Sequence, residues 1–444
     1  MGRKRKARLS QCMIVKNEEQ NIARALSWGK GIVWEQIVVD TGSTDRTVEI
    51  ARQMSARVYH FSWIDDFSAA KNYAISKASG EWIAFLDADE YVTAEDGKKL
   101  QSYVEELQET TCDMIVTGWI NLDSQGQITS VMSQCRVFRN RPDLRYRGRI
   151  HEHLVLSDGK TAEMVDLVED LSIFHTGYEV RELQKKEGRN LPLIQAELSE
   201  HPDDYQMLGY LGKEYMIMEE YDRAAEVFRK ALSLMPASLK GVYDGTTSEI
   251  AMRLIAILAA NRGTREEEIL RAYTHAIEYW PEEADFDYMV GQYYTSRNDF
   301  QKGEKHLRQA LSILEKYGYA CKSTQLSAEI KKAYELLALC CYNNGDLSGC
   351  VSVSAAILKE DPYLMSTLTI LLLAFRRDAK PGGNGTEELM AFLGRSFYDF
   401  QILKDRLFVL KAAMSAGYGE LAAAIKGMFT PQELEIVEQS LQRI

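Results

Sequence analysis

A chain of 444 residues exceeds what one hydrophobic core usually organises, so two or three domains are expected. With 45% apolar and 27% charged residues it has the make-up of a folded globular protein, which excludes wholesale disorder. Its formal net charge of -12 excludes general nucleic-acid binding, which needs a basic surface to neutralise phosphates.

The chain opens on Arg3-Lys4-Arg5-Lys6-Ala7-Arg8, expected as a solvated basic tail over residues 1–8. This start does not read as a signal peptide, because only about seven mixed residues separate it from Lys16-Asn17-Glu18-Glu19. No stretch reaches the roughly 18 apolar residues of a membrane-spanning helix, and the longest candidate, around Leu368 to Phe375, runs into Arg376-Arg377. The seven cysteines, Cys12, Cys112, Cys135, Cys321, Cys340, Cys341 and Cys350, contain no CxxC pair. Neither a zinc site nor a disulfide framework is expected, and a reducing, cytoplasmic location with no integral membrane segment follows.

The first half alternates short apolar runs with helical stretches. Ser10 to Val15, Gln36 to Asp40, Arg57 to Phe61 and Trp82 to Leu86 are predicted strands. Glu18 to Trp28, Asp45 to Met54 and Ser68 to Ala78 are predicted helices between them. That rhythm belongs to a parallel α/β sheet, which binds ligands beyond the carboxyl ends of its strands. Asp113 to Asn121 and Ile128 to Phe138, joined by Asp123-Ser124-Gln125-Gly126, are expected to form a hairpin or mixed edge. From about Tyr178 the pattern turns helical, with a repeat of about 34 residues. Its clearest copy has Leu208, Leu211, Gly212, Tyr215, Ala224, Phe228, Ala231 and Pro236 at the small and large positions of a tetratricopeptide repeat. A second runs Val290, Gly291, Tyr294, Gly303, Leu307, Ala310, and a third Tyr334, Leu337, Ala338, Cys341, Cys350, Ile357, Pro362. Between them, Ala251 to Pro281 fits only around Tyr273, Ala276 and Pro281. The helical pattern breaks at Pro381-Gly382-Gly383-Asn384-Gly385.

Four strand or helix ends carry the candidate chemistry. Asp87 and Asp89 follow Trp82-Ile83-Ala84-Phe85-Leu86, and residues i and i+2 of an extended chain share a face. Two carboxylates so placed can hold a hard divalent ion and leave positions for phosphate oxygens. Asp40 ends a strand before Thr41-Gly42-Ser43-Thr44-Asp45; one of the last three caps the next helix, which leaves Asp40 to accept hydrogen bonds from a nucleobase or ribose. Met13-Ile14-Val15-Lys16-Asn17-Glu18-Glu19 is again a strand running into polar residues, of which Glu18 or Glu19 also suits a helix N-terminus. Asp66-Phe67-Ser68-Ala69-Ala70-Lys71-Asn72 places a cation near a helix start, where it could meet a diphosphate.

The phrases MIVKNEE, IVVDTGSTDRT, DDFSAAKN and IAFLDADE, in this order, resemble the nucleotide-sugar half of the family 2 glycosyltransferases. The resemblance implies a GT-A (Rossmann-like) domain over 9–180; the helical pattern after it is read as a linker helix over 181–202, tetratricopeptide-like repeats over 203–380 and a helical cap over 387–444. The resemblance further implies inverting transfer from a UDP-sugar with Mg or Mn. Val15, Asn17, Glu18 and Asp40 would then serve the base and ribose, Lys71 the diphosphate, and Asp87 and Asp89 the ribose and metal. Many relatives carry arginine where Lys71 stands; lysine keeps the charge but loses the bidentate fork. Similarity continues through Arg136-Val137-Phe138-Arg139-Asn140, Tyr146 to Glu152 and Phe174-His175-Thr176-Gly177-Tyr178, in the manner of the sublancin-type peptide S-glycosyltransferases.

Inversion needs one general base, for which Glu152 is the candidate beside His151, with Asp143 as a rival. His151, His153 and His175 fall within 25 residues, and His175 is the candidate third metal ligand. Repeats of this type present concave surfaces to extended peptides, so a peptide or protein acceptor, through a Cys thiol or a Ser or Thr hydroxyl, is expected over a saccharide or lipid-linked one. Repeat arrays also pair through terminal helices, which makes a homodimer a further expectation. Two other classes are weighed: a sugar nucleotidyltransferase, disfavoured because Lys16-Asn17-Glu18-Glu19 contains no phosphate-loop glycine, and a non-catalytic scaffold, disfavoured by intact Asp40, Asp87 and Asp89.

Overall fold

A computed structural model of the protein describes residues 6–176, 190–243, 247–261, 263–318, 324–378 and 385–434. Residues 1–5 of the expected basic tail, Gly177-Tyr178, residues 181–189 of the expected linker helix, Cys321, Pro381 to Asn384 and residues 435–444 of the expected cap lie outside the described residues. The chain divides into two compact units, Met1–Met218 and Glu219–Ile444.

The first unit is built on an eight-stranded sheet in the order β3 (Arg57–His60), β2 (Glu35–Asp40), β1 (Leu9–Val15), β4 (Trp82–Phe85), β7 (Ile128–Arg139), β6 (Met114–Leu122), β10 (Met164–His175), β5 (Glu90–Val92). β1 to β4 are mutually parallel. β7 is antiparallel to β4 and β6, while β10 runs parallel to β6 and antiparallel to β5. A separate hairpin pairs β8 (Leu144–Arg147) with β9 (His153–Leu156). Helices α1 (Ile22–Ser27), α2 (Thr47–Gln53), α3 (Phe67–Lys77) and α4 (Ala94–Leu107) cover the sheet, and α5 (Asn190–Glu200) and α6 (Tyr205–Ile217) complete the unit. This is the α/β, GT-A type of domain that the resemblance implies, and a chain of helices follows it.

The strands read as unbroken apolar runs because both faces are buried. On one face Cys12, Ile37, Val39, Ile83 and Phe85 pack with Ala74 and Ile75 of α3 and with Leu144, Tyr146 and Leu156 of the hairpin. On the other, Met13, Val15 and Val38 meet Ile22 and Leu26 of α1 and Ala51 of α2, while Leu9, Trp82 and Val137 meet Leu100 and Val104 of α4.

Several boundaries differ from the sequence pattern for local reasons. The helix expected from Glu18 begins at Ile22, because Asn17 adopts a φ of +60° and Glu18 to Asn21 close a turn in which the Asn21 N–H donates to the Glu18 carbonyl. Of the three capping candidates, Asp45 takes the Thr47 N–H at 3.0 Å at the start of α2. The expected hairpin forms around Asp123, whose Oδ1 accepts from the Gln125 and Gln127 N–H groups, yet β7 and β6 are interior strands and not an edge. Arg8, the last residue of the basic run, is bound to Glu81 through its N–H and guanidinium. α4, β5 and β8 to β10 have no counterpart in the sequence reading. α4 carried a legible signal, with Thr93 capping Asp96 ahead of the stripe Leu100, Val104, Leu107.

In the second unit the described helices follow in the order α7 (Tyr221–Leu234), α8 (Thr247–Ala260), α9 (Glu266–Tyr279), α10 (Ala284–Ser296), α11 (Phe300–Tyr317), α12 (Thr324–Ala328), α13 (Ile330–Asn344), α14 (Leu347–Glu360), α15 (Met365–Asp378), α16 (Gly385–Ser396), α17 (Leu403–Ser415) and α18 (Gly419–Lys426), and most of them pack on a helix next in the chain. The repeat glycines work as closest-approach points. A Cβ at Gly291 would lie 2.8 Å from Leu307 Cγ, and one at Gly303 would lie 2.7 Å from Thr295 Oγ1. Among the described residues no helix is long and apolar enough to cross a membrane.

Candidate active site

The carboxyl ends of β1, β2 and β4 meet because the strands are parallel and in register, with Val15 level with Asp40 and the Leu86 N–H donating to the Cys12 carbonyl. Beyond them opens a cleft of about 690 Å³ within the first unit. Val15, Lys16, Glu18, Thr41, Lys71, Asp87 and Asp89 line it from the strand-end side, and Trp119, Gln134, Arg136, His151, Glu152, His175 and Tyr210 face them.

Asn17 and Asp40 serve this wall from behind and do not line the cleft. The Asn17 N–H donates to Ser43 Oγ (2.9 Å) and its Oδ1 accepts the Thr44 N–H (2.8 Å), which clasps the loop after β2. Asp40 accepts the Ser43 N–H at 3.0 Å and meets His60 Nδ1 at 3.1 Å. Burial works to raise its carboxyl, but the hydrogen bonds from Ser43 and His60 outweigh it and hold the group below the usual carboxylate range. Glu18 lines the cleft, accepts from Asn21 Nδ2 at 2.9 Å and donates its own N–H to Thr47 Oγ1 at 2.7 Å.

Asp87 and Asp89 diverge in their contacts. Asp87 Oδ2 accepts from Arg136 Nη2 at 2.8 Å, and its Oδ1 lies 3.8 Å from Lys71 Nζ. Burial opposes its charge, but Lys71, Arg136 and His175 together hold it ionised well below the ordinary range. Asp89 instead meets His175, with Oδ2 3.2 Å from Nε2. Asn121 Nδ2 donates to Ser130 Oγ (2.8 Å), which leaves its Oδ1 to accept from His175 Nδ1–H (2.7 Å). With Nδ1–H as that donor, a neutral His175 turns its Nε2 lone pair toward a carboxylate oxygen. Two lone pairs facing each other repel unless a positive charge is shared between them, either a proton on Nε2 or a divalent cation. The pair therefore fits a hard metal ion, with the outer Nδ1–H bond that metal-binding histidines use to set their orientation.

Two residues that sequence reasoning passed over organise this arrangement. Glu90, almost fully buried, accepts from Arg136 Nε (3.1 Å), from Trp119 Nε1 (2.8 Å) and from the Asp87 N–H (3.0 Å). Trp119 in turn stacks on the His175 ring, with centroids 4.6 Å apart. One carboxylate thus fixes Asp87 directly and His175 through an indole. Arg136 reaches inward because it is the extra residue of a β-bulge: Ile115 pairs with Val137 and Val116 with Cys135, which skips it. Burial disfavours its charge, but Glu90 and Asp87 keep the guanidinium firmly protonated. The signal for both was adjacency, since Glu90 follows Asp87-Ala88-Asp89 and Arg136 opens a phrase already singled out.

The other wall comes from the segment ahead of β9. Lys71, buried in α3, places Nζ 2.6 Å from Glu152 Oε1 and lies over the rings of Phe85 and Tyr146 at 5.1 and 5.0 Å. The structure thereby joins the candidate diphosphate cation to the candidate base, 81 positions apart in sequence. His151 adopts a φ of +53°, rare outside glycine and costly unless its surroundings enforce it. Its ring stacks flat on Tyr210 of α6, centroids 3.5 Å apart, while Arg149 pairs with Glu197 and Glu200 of α5. His153 is exposed at the start of β9. Asp143 forms a two-pronged pair with Arg141 (3.0 and 2.6 Å) and does not line the cleft.

Residues 10–147 match the family model described as Glycosyl transferase family 2. A TPR repeat-containing protein of Synechococcus elongatus is 34% identical over 226 residues, which is 49% of this chain and 54% of that protein. The prophage-derived glycosyltransferase SunS of Bacillus subtilis is 28% identical over 225 residues, 50% of this chain and 52% of the relative. The chain thus spans about half the length of these curated relatives. Among solved structures, S. aureus TarS aligns over 56% of this chain and 52% of its own, at 14% identity and a TM-score of 0.34.

Proposed function

We propose, on the premise that residues 10–147 are a family 2 glycosyltransferase domain, that the protein is an inverting glycosyltransferase that moves a sugar from a UDP-sugar to a peptide or protein acceptor. The observation that carries this is the convergence of Lys71, Asp87, Asp89, Glu152 and His175 on one cleft beyond parallel strand ends. In this reading the nucleoside lies against Val15, Thr41 and Asp87, with Asn17 and Asp40 holding the loop that shapes the pocket. Asp89 and His175 hold Mg or Mn, which when bound supplies charge to offset the departing diphosphate.

Lys71 faces the diphosphate from α3. As the donor enters, its phosphates compete with Glu152 for the ammonium, and Glu152 Oε1 becomes available to the acceptor. Glu152 then takes the proton of the attacking hydroxyl or thiol as the new bond to the anomeric carbon forms and the bond to the diphosphate breaks on the opposite face. A thiol would need this help least, since part of it is already thiolate at neutral pH. The aromatic wall of His151 and Tyr210 suits the acceptor side, and the helical repeats support a polypeptide over a free sugar.

The test is UDP release from a panel of UDP-sugars, with Mn or Mg present and then chelated, in the wild type and in Asp89→Ala. Metal-dependent release that Asp89→Ala abolishes is the expected outcome. Absence of any metal-dependent turnover or donor binding would sink the proposal.

A further inference from the structure

Strand β7 is interior to the sheet over only part of its length. β4 pairs with it at Val137, Phe138 and Arg139 and then ends, whereas β6 stays with it as far as Ile128. From Ile128 to Cys135 the β4 side of β7 therefore has no strand against it among the described residues. Such an edge presents a row of unpaired N–H and C=O groups that a further extended chain can take up. At about 3.3 Å per residue the open stretch is roughly 25 Å long, room for a strand of ordinary length.

Open edges are usually protected by charged side chains, lysine above all, or by proline. Here Ser124 to Cys135 contains no charged residue and no proline, in a chain that is 27% charged, and Ile128, Val131 and Met132 are each more than half exposed. The edge also leads to the cleft. Because β7 is antiparallel to β4, its open stretch continues past the carboxyl end of β4, where Asp87 and Asp89 follow. Gln134 and Arg136, at the inner end of that stretch, line the cleft. Met132 stands opposite Trp119 and Ser130 opposite Asn121, so alternate residues of β7 share the sheet face that carries His175. In a strand added to this edge every second side chain would lie on that same face.

We propose that the open edge of β7 binds an uncharged polypeptide segment in extended conformation, by strand addition in the row of the sheet that β4 vacates. A ladder of peptide groups selects an extended backbone over a sugar or a lipid, neither of which carries donors and acceptors at the strand repeat. A single segment is favoured over a second copy of the chain because the edge opens on the cleft, which a whole sheet paired there would cover. As the path of the acceptor this docking rests on the transfer reading above; as binding it does not.

The probe is a fluorescein-labelled octapeptide of alternating Thr and Val with a central Ser, set against the same sequence N-methylated at every amide, each titrated with the full chain and followed by anisotropy. The methylated twin keeps the side chains and loses the backbone donors. The plain peptide is expected to bind at least about tenfold more tightly, the size of two lost hydrogen bonds. Val131→Pro and Met132→Pro locate the site, because N–H groups of successive residues point to opposite sides of a strand. The variant that removes an outward donor should keep the wild-type unfolding midpoint and UDP release and lose the peptide; the other breaks the pairing with β6 and should lower the midpoint. Equal binding of the two peptides overturns the proposal even if UDP release proceeds, and so does full binding by the proline variant that keeps its midpoint. A concentration-dependent dimer that this variant abolishes, with no peptide bound, would give the edge to a second copy and overturns it too. Selective binding of the plain peptide by a chain that releases no UDP from any donor would uphold the docking and remove only the transfer reading.

Discussion

In the sheet unit Lys71, Asp87, Glu90, Arg136 and Glu152 bring buried charge together around one cleft, whereas in the helical unit the buried carboxylates of Asp285, Asp287 and Asp405 are each taken up by hydrogen bonds of their own. Asp285 accepts the Gln325 and Leu326 N–H groups (3.0 and 2.7 Å) at the start of α12. Asp287 meets Tyr273 Oη (2.9 Å) and His306 Nδ1 (2.7 Å), and Asp405 meets Tyr363 Oη and the Asp399 N–H. Both units thus pay the desolvation of a carboxylate, but only in the first do the groups face one another across open space. Buried charge points to chemistry when it is clustered and reachable; satisfied one residue at a time, it is architecture.

That contrast can be broken by substitution. Glu152→Gln should give the largest change, a fall of about 10²- to 10⁴-fold in kcat with donor KM little altered, measured as sugar transfer or donor hydrolysis. Comparable loss of donor affinity would instead make Glu152 a partner of Lys71 only. Glu90→Gln should cost about 3 kcal/mol in chemical denaturation, because the buried Arg136 loses one of its two carboxylate partners and keeps only Asp87, and should raise donor KM as Asp87 and His175 lose their common support. Asp285→Asn should cost about 1 kcal/mol, as for a lost helix cap, and leave donor KM untouched. The smallest effect concerns acid. Asp40 is depressed in the folded chain, so its contribution is present above the unfolded value of about 3.9 and lost as pH falls through the folded one. The thermal midpoint of Asp40→Asn should therefore decline less steeply than that of the wild type on going below that unfolded value.

Much of the strand-end wall of the cleft was legible in the sequence because its signals are local. Ile37-Val38-Val39-Asp40 and Phe85-Leu86-Asp87 announce buried parallel strands that end in carboxylates, and the sheet rule places such ends at a ligand edge. The repeat was legible in Gly291 and Gly303, whose missing Cβ atoms allow the helices to close. What was hidden depends on long-range register. Arg136 enters the site only through a bulge between β6 and β7, and a one-residue slip would turn it to the other face. The Lys71 pairing with Glu152 needs α3 and the segment before β9 to be adjacent, which no short pattern encodes. His175 was singled out for its sequence company, but the side chains that orient it, Asn121 and through it Ser130, come from β6 and β7.

Asp89 and His175 are proposed as the pair that holds a cation beside the nucleotide. Mn²⁺ titrated into the UDP-saturated chain and followed by calorimetry or electron paramagnetic resonance measures this without turnover. Bound Mn²⁺ that weakens tenfold or more in Asp89→Ala and in His175→Ala, and is unchanged in Asp285→Asn, is the predicted result. Wild-type Mn²⁺ affinity in both cleft variants would contradict it.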